Sequence, residues 1–280
     1  MTQTLRIGIS TCPNDTFLFH GLLSGRSERH GLDFNFFLGD VEELNIRASR
    51  GEFDLAKASF ATALGWGAKR LIMPVGSALG FGVGPLLLAR ATPPAIPARP
   101  RVLCPGAGTT AQLLFDLFHP SAGATEQIVF SEIMPALIRG AADWGVCIHE
   151  GRFTYQEQGL TRVEDLGERW ESETGLPLPL GGLFARKDLG AEGLSRLHRA
   201  LQDSLAYGHA HRQETLESMS VHAREFSAAV LFQHVDLYVN EWTAELGATG
   251  RKAIAELQRR ASARGGRKAG EAPLESYLPA

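Results

Sequence analysis

Short apolar runs and longer helical stripes alternate along this chain. Leu5 to Ser10, Leu32 to Leu38 and Phe53 to Ser59 predict three strands. Asn14 or Asp15 is placed to cap a helix after the first. Asp40 caps a second helix, with Glu43 at capping-box spacing, a run to about Arg50, and Gly51 as its stop. Phe60 to Lys69 reads as a short helix and Leu71 to Val75 as a strand. Gly76 to Gly84 is too glycine-rich for a regular element, and Pro85 to Arg90 resumes as a strand. Further on, Arg101 to Cys104, Gln127 to Phe130 and Trp144 to Ile148 predict strands. A helix opens at Thr109, where Ala111, Leu114, Phe115 and Phe118 share one face, and another spans Ile133 to Arg139. Beyond Leu183 to Arg186 the pattern is helical, marked by Leu194, Leu197, Leu201 and Leu205, then Phe226, Val230, Leu231, Val235 and Tyr238, then Ile254 and Leu257. Gly265 to Ala280, rich in Gly, Pro and charge, reads as poorly ordered.

This alternation predicts βα units and an α/β fold with mixed, mostly parallel sheets. Two proline- and glycine-rich crossings, 91–100 and 174–182, bracket the middle third. Residues 1–92 and 184–280 are therefore expected to form one larger lobe, and 93–183 an inserted smaller one, with a cleft between.

Composition narrows the classes. The 280 residues suffice for one large or two ordinary domains. A net charge of −3 gives no electrostatic case for nucleic acid or an anionic membrane. No apolar run approaches the ~20 residues of a membrane helix. The first residues lack the pattern of a signal peptide. Three cysteines, Cys12, Cys104 and Cys147, are sparse and have no metal-ligand spacing, which fits a reducing cytosol.

The most informative stretch is Val146 to Tyr155, a buried strand that ends in His149, Glu150, Gly151 and Arg152. Ligands in open α/β sheets lie outside the carboxyl ends of strands. His149 there reads as a general base or as a satisfied structural histidine. Glu150 could orient it. Arg152 could fix a substrate carboxylate or pair with an acid on its own lobe. Gly106-Ala107-Gly108-Thr109-Thr110 joins a strand to a helix, which suits an anion or an ordinary cap; neither a P-loop nor a dinucleotide fingerprint is present. Lys57-Ala58-Ser59 ends the third strand, either as a solubilising edge lysine or as an ammonium and hydroxyl facing the cleft. Asn14, Asp15 and Thr16 read as a cap. His234 reads as core or cleft lining. No histidine pair has metal spacing.

These segments together resemble a known family. They are Cys12-Pro13-Asn14-Asp15-Thr16-Phe17, Asp40-Val41-Glu42, Lys57-Ala58-Ser59, Gly82-Val83-Gly84-Pro85-Leu86, Thr109-Thr110-Ala111, Ile148-His149-Glu150 with Arg152-Phe153-Thr154-Tyr155, the run from Thr174 to Gly181, and Tyr238-Val239-Asn240. The chain resembles the 1,4-dihydroxy-6-naphthoate synthases of the futalosine route to menaquinone. The resemblance implies a two-lobed, periplasmic-binding-protein-like fold of the second type. It implies a lyase that cleaves cyclic dehypoxanthine futalosine to 1,4-dihydroxy-6-naphthoate and a dihydroxyacetone-like fragment. His149 would be the base, with Lys57, Ala58, Ser59, Thr109 and Thr110 at the substrate; Asn14 and Arg152 join this set as candidates. Such chemistry needs no metal or redox cofactor. The expected partner is a small anionic cyclic substrate in the cytosol; the sequence is silent on oligomeric state. Chorismate dehydratase of the same route, and a non-catalytic small-anion-binding protein, are the alternatives.

Overall fold

The structure, a computed structural model, describes residues 3–90, 98–149, 151–223, 227–264 and 274–279. The first part of the chain supplies β1 (Gln3–Ser10), α1 (Pro13–Leu23), β2 (Leu32–Gly39), α2 (Val41–Ser49), β3 (Leu55–Ser59), α3 (Phe60–Ala63), β4 (Arg70–Ile72) and β5 (Ala78–Gly80). The middle supplies β6 (Leu86–Arg90), β7 (Val102–Cys104), α4 (Thr110–Phe118), β8 (Glu126–Gln127), α5 (Phe130–Ile138), β9 (Trp144–Cys147), α6 (Gly151–Thr154), β10 (Leu160–Asp165) and α7 (Leu166–Thr174). The rest supplies β11 (Leu178–Arg186), α8 (Gly190–Ala210), α9 (Leu216–Met219), α10 (Ala228–Tyr238), α11 (Glu241–Ala244), α12 (Gly247–Ala263) and β12 (Glu275–Ser276).

Two sheets result. The larger runs β12-β4-β11-β3-β1-β2, with β5 also paired to β11. The smaller runs β10-β6-β9-β7-β8. The strand pairings among the described residues divide evenly between parallel and antiparallel. The sheets are mixed, with a larger antiparallel share than the alternation suggested. The reason is topological: β6, β10 and β11 lie at or near the passages between sheets and enter against their neighbours.

Local signals account for most boundaries. Asp40 accepts from the Glu42 and Glu43 amides and so starts α2. Thr109 does the same for α4 through the Gln112 amide. Asp165 caps α7, and Gly175, at φ 65°, ends it in the left-handed region. Elsewhere the chain departs from its pattern. Cys12, not Asn14 or Asp15, is the N-cap residue of α1, because Pro13 opens the helix and places both inside the first turn. The helix expected over Phe60 to Lys69 stops at Ala63 and continues as a 3-10 turn at Gly67–Lys69. The fourth strand is shifted to Arg70–Ile72. Phe130 belongs to α5 rather than to the preceding strand. β10 and α7 have no counterpart in the hydrophobic pattern, since β10 exposes half of its residues.

The second crossing is the sharpest difference. Its proline-rich text becomes the first half of β11, which pairs with β3, β4 and β5. Pro179 is tolerated because the register against β5 shifts between Pro179 and Gly181. Gly181 is required by close approach, since a Cβ there would lie 2.7 Å from the Ala58 carbonyl oxygen. Of the first crossing, residues 91–97 lie outside the described residues, as does Phe226 of the helical face. Within the segment expected to be disordered, Glu275–Ser276 pair with β4.

One face of the larger sheet packs α1 and α8 around Phe17, Leu18, Leu197 and Leu201. The largest apolar cluster among the described residues runs from Phe60 of α3 and Phe184 of β11 to Leu114, Val146 and Trp170 beside the smaller sheet. Gly84, just before β6, touches backbone at the start of α7: a Cβ on it would lie 2.2 Å from the Gly167 Cα. Backbone cannot swing aside, so Gly84→Ala should lower the unfolding free energy by about 1–3 kcal/mol in urea denaturation. An unchanged midpoint would contradict this close approach.

Candidate functional site

The carboxyl ends of β1 and β3 deliver polar side chains into an otherwise apolar interior. Asp15 is 2 % exposed and Lys57 6 % exposed. Lys57 Nζ donates to Asp15 Oδ1 at 2.6 Å and to the Gly76 carbonyl at 3.2 Å. Ser10 Oγ donates to Asp15 Oδ2 at 2.5 Å, and Asn14 Nδ2 to Asp15 Oδ1 at 2.9 Å. Asn14 Oδ1 accepts from His234 Nε2 at 3.0 Å. Lys57 is thus no edge lysine: β3 lies inside the sheet between β1 and β11.

The smaller sheet contributes His149, two residues beyond β9. Its φ of 57° is one of two positive values at non-glycine residues among the described residues. A side chain held in that region is backbone strain that the surroundings must sustain. Cys12 Sγ lies 3.3 Å from Nδ1 and 3.6 Å from Nε2. Phe130 presents an edge contact at 4.8 Å, and the His234 ring is stacked at 6.3 Å. The ring keeps some surface toward the cleft, yet protein surrounds it. Desolvation lowers its pKa to about 4, against the opposing pull of the Asp15 and Asp40 charges. His149 is therefore neutral at neutral pH, with a lone pair able to take a proton. His234 is also held well below the ordinary value, first by desolvation and then by His149 and Lys57.

Asn14, Lys57, Ala58, Ser59, Thr109, Thr110, His149 and Arg152 all line one cavity between the two sheets. Its volume is about 90 Å³, room for a handful of waters. Ser59 Oγ accepts from Asn45 Nδ2, which leaves its proton for a ligand. Thr110 Oγ donates to the Leu180 carbonyl, and Thr109 Oγ to the Gly106 carbonyl. Arg152 donates to the Gly84 carbonyl and to Asp165, each at 2.6 Å, so of its two readings the pairing with an acid is the one seen. The Gly106–Gly108 loop does meet an anion, but it is the chain's own: Glu42 takes the Gly108 amide on both oxygens, at 2.9 and 3.1 Å. Glu150 lies outside the described residues. Among the described residues no group of three or more His, Cys, Asp or Glu could hold a metal ion, and no helix is long and apolar enough to cross a membrane.

Sequence reasoning missed the parts played by Cys12, Asp15 and Glu42. Cys12 read as one of three sparse cysteines, Asp15 as part of a cap, and Glu42 as a residue of the helix that Asp40 starts. A carboxylate and a lysine at the ends of adjacent strands was the available signal for the Asp15 pair.

The fold is a two-lobed, binding-protein-like scaffold with an ion pair on one side of its cleft and an imidazole of lowered pKa on the other. The aliphatic sulphonate binding protein of Escherichia coli shares the fold, with TM-score 0.66 at 14% identity over 100% of this chain and 94% of its own. The menaquinone-biosynthesis family profile matches residues 5–263, and the chain belongs to that family. Two 1,4-dihydroxy-6-naphthoate synthases are each 43% identical to it. The Thermus thermophilus enzyme aligns over 94% of this chain and 96% of its own, the Streptomyces coelicolor enzyme over 94% of each. A crystal structure of an Archaeoglobus fulgidus protein superposes with TM-score 0.88 at 28% identity, covering 94% of this chain and 98% of that one.

Removing one partner of a buried ion pair costs far more than removing both. Lys57→Met should lower stability by about 3–5 kcal/mol in urea unfolding, and adding Asp15→Leu should recover part of it. A single variant as stable as the parent would contradict a buried, charged pair.

Proposed function

We propose that this chain catalyses the 1,4-dihydroxy-6-naphthoate synthase reaction of menaquinone biosynthesis. As a carbon–carbon lyase it converts cyclic dehypoxanthine futalosine to 1,4-dihydroxy-6-naphthoate and a dihydroxyacetone-like fragment. The observation that carries this reading is the neutral His149 imidazole in the cleft, opposite Lys57, Ser59 and the Thr109 helix start. His149 takes a proton from the bound substrate. A retro-aldol-type cleavage follows, driven by aromatisation of the ring. Ser59 and the backbone at Ala58 and Thr110 hold the substrate's oxygens, Lys57 and Thr109 line the same face while bonded to Asp15 and Gly106, Asn14 supports the Asp15 side of the site, and Arg152 braces the His149 loop through Asp165 and Gly84. The cavity of about 90 Å³ is smaller than the roughly 300–1,000 Å³ of small-molecule sites, so substrate entry parts the lobes, and their closing on the substrate excludes water and aligns the proton with the base.

Incubation with cyclic dehypoxanthine futalosine should release 1,4-dihydroxy-6-naphthoate, while chorismate should be left unchanged. Turnover of chorismate alone would overturn the reading, and binding without turnover of either would favour a non-catalytic protein. His149→Asn should lower kcat about 10²- to 10⁴-fold while substrate binding stays measurable by calorimetry. Full activity in that variant would refute the assigned role.

The pH dependence follows from the sign of the shift. The base must be neutral, and its folded pKa of about 4 lies below the ordinary 6.5. The rate constant kcat/KM should therefore hold as pH falls from about 8 to 5 and drop only as pH nears 4. An acid limb centred near the ordinary histidine value would contradict it. Between that ordinary value of 6.5 and about 4 the unfolded histidine gains a proton that the folded one refuses, so this group lowers stability as pH falls through that interval.

A further inference from the structure

The cavity that His149 lines has a larger neighbour. A second cavity, of about 240 Å³, shares Cys12 and Ile148 with it. Its walls are the turn after β1, the first turns of α5, and the α6 turn that follows His149. Phe130, whose ring meets the imidazole edge-on at 4.8 Å, also lines it. The imidazole thus belongs to the first cavity, while the residue before it, the turn after it and its aromatic neighbour belong to the second.

The two spaces differ in charge. The first is lined by the Lys57–Asp15 pair and by Arg152. No Asp, Glu, Lys or Arg lines the second. Burial pushes the Cys147 thiol in its wall up to about 12, so that group is uncharged as well. Polar groups are nonetheless present, in the Thr11 and Ser131 hydroxyls and the Gln158 carboxamide. Among the described residues these three side chains have no hydrogen-bond partner in the protein. Phe130, Met134 and Ile148 supply apolar surface beside them. Neutral donors and acceptors over apolar surface suit an uncharged, polyhydroxylated group and offer a carboxylate no counter-charge.

We propose that this second cavity is the subsite for the polyol part of the substrate, the part that leaves as the dihydroxyacetone-like fragment. The ring and its carboxylate lie in the first cavity beside Ser59. The bond between ring and polyol passes Cys12 and Ile148, within reach of His149. The proposal rests on the lyase reading above. It makes Ser131 and Gln158 specificity-determining residues, because they hold hydroxyls that the substrate has and the aromatic product lacks.

The test is calorimetric and uses the His149→Asn protein, so that the substrate is not consumed. Ser131→Ala with Gln158→Ala, added to it, should weaken binding of cyclic dehypoxanthine futalosine about 10- to 100-fold, and binding of 1,4-dihydroxy-6-naphthoate by less than about twofold. Both positions are exposed, so the fold should tolerate the changes. Ser131→Trp, which fills the cavity, should exclude the substrate and leave the naphthoate bound. Unchanged substrate affinity in the double variant, or an equal loss for substrate and product, overturns the proposal. The two readings fail separately. A protein that binds the substrate through Ser131 and Gln158 but never turns it over would remove the lyase reading alone. Full turnover with an unaffected double variant would remove the subsite alone.

Discussion

The Asp15 carboxylate is the point to which the site is tied. It sits in the first turn of α1, 2 % exposed, and accepts hydrogen bonds from Ser10, Asn14 and Lys57. Each donor comes from, or leads to, a separate part of the structure. Ser10 ends β1, Lys57 belongs to β3 and also holds the Gly76 carbonyl, and Asn14 carries the link on to His234 in α10. A buried carboxylate left without these partners would be costly, so the four segments are held in one arrangement. The Lys57 charge is consumed in this balance. What faces the cleft is mainly a set of fixed hydrogen-bonding groups, Ser59 first among them.

The second constraint is the seam between the lobes. Glu42 reaches from α2 to the Gly108 amide, Thr62 Oγ donates to the Gly108 carbonyl, and Thr110 Oγ donates to the Leu180 carbonyl. The glycines are needed there: a Cβ on Gly108 would lie 2.6 Å from Thr62 Oγ and 2.7 Å from a Glu42 oxygen. The helix start that could attract a substrate anion is thereby held by a carboxylate of the chain itself. These bonds shut a small cavity around His149, and its lowered pKa follows from the same enclosure.

Much of this was legible in the order of residues. His149 at the exit of a buried strand, Lys57 interrupting an apolar run, and Thr109 capping a helix are local signals, and the structure gathers all three at one cavity. What could not be read is what depends on distant partners. Whether Lys57 lies at an edge or in the middle of a sheet is decided by Leu183, its neighbour on β11. The proline-rich text before Leu183 hid that strand, because only the register shift at Pro179 makes the proline acceptable. Cys12 and His149 are 137 residues apart, and nothing near either one announces the other. Asp15 has the spacing of a cap; only Pro13 at the first helical position moves it inside the helix.

The central claim is that the substrate is bound between the two lobes with His149 at the proton to be removed. A crystal structure of the His149→Asn protein with cyclic dehypoxanthine futalosine tests it most directly. The account predicts the ligand between Ser59 and Thr109, with residue 149 at about 3 Å, directly or through one water, from the group to be deprotonated. A ligand bound outside this cavity, or one with residue 149 out of reach of any acidic proton, would contradict it.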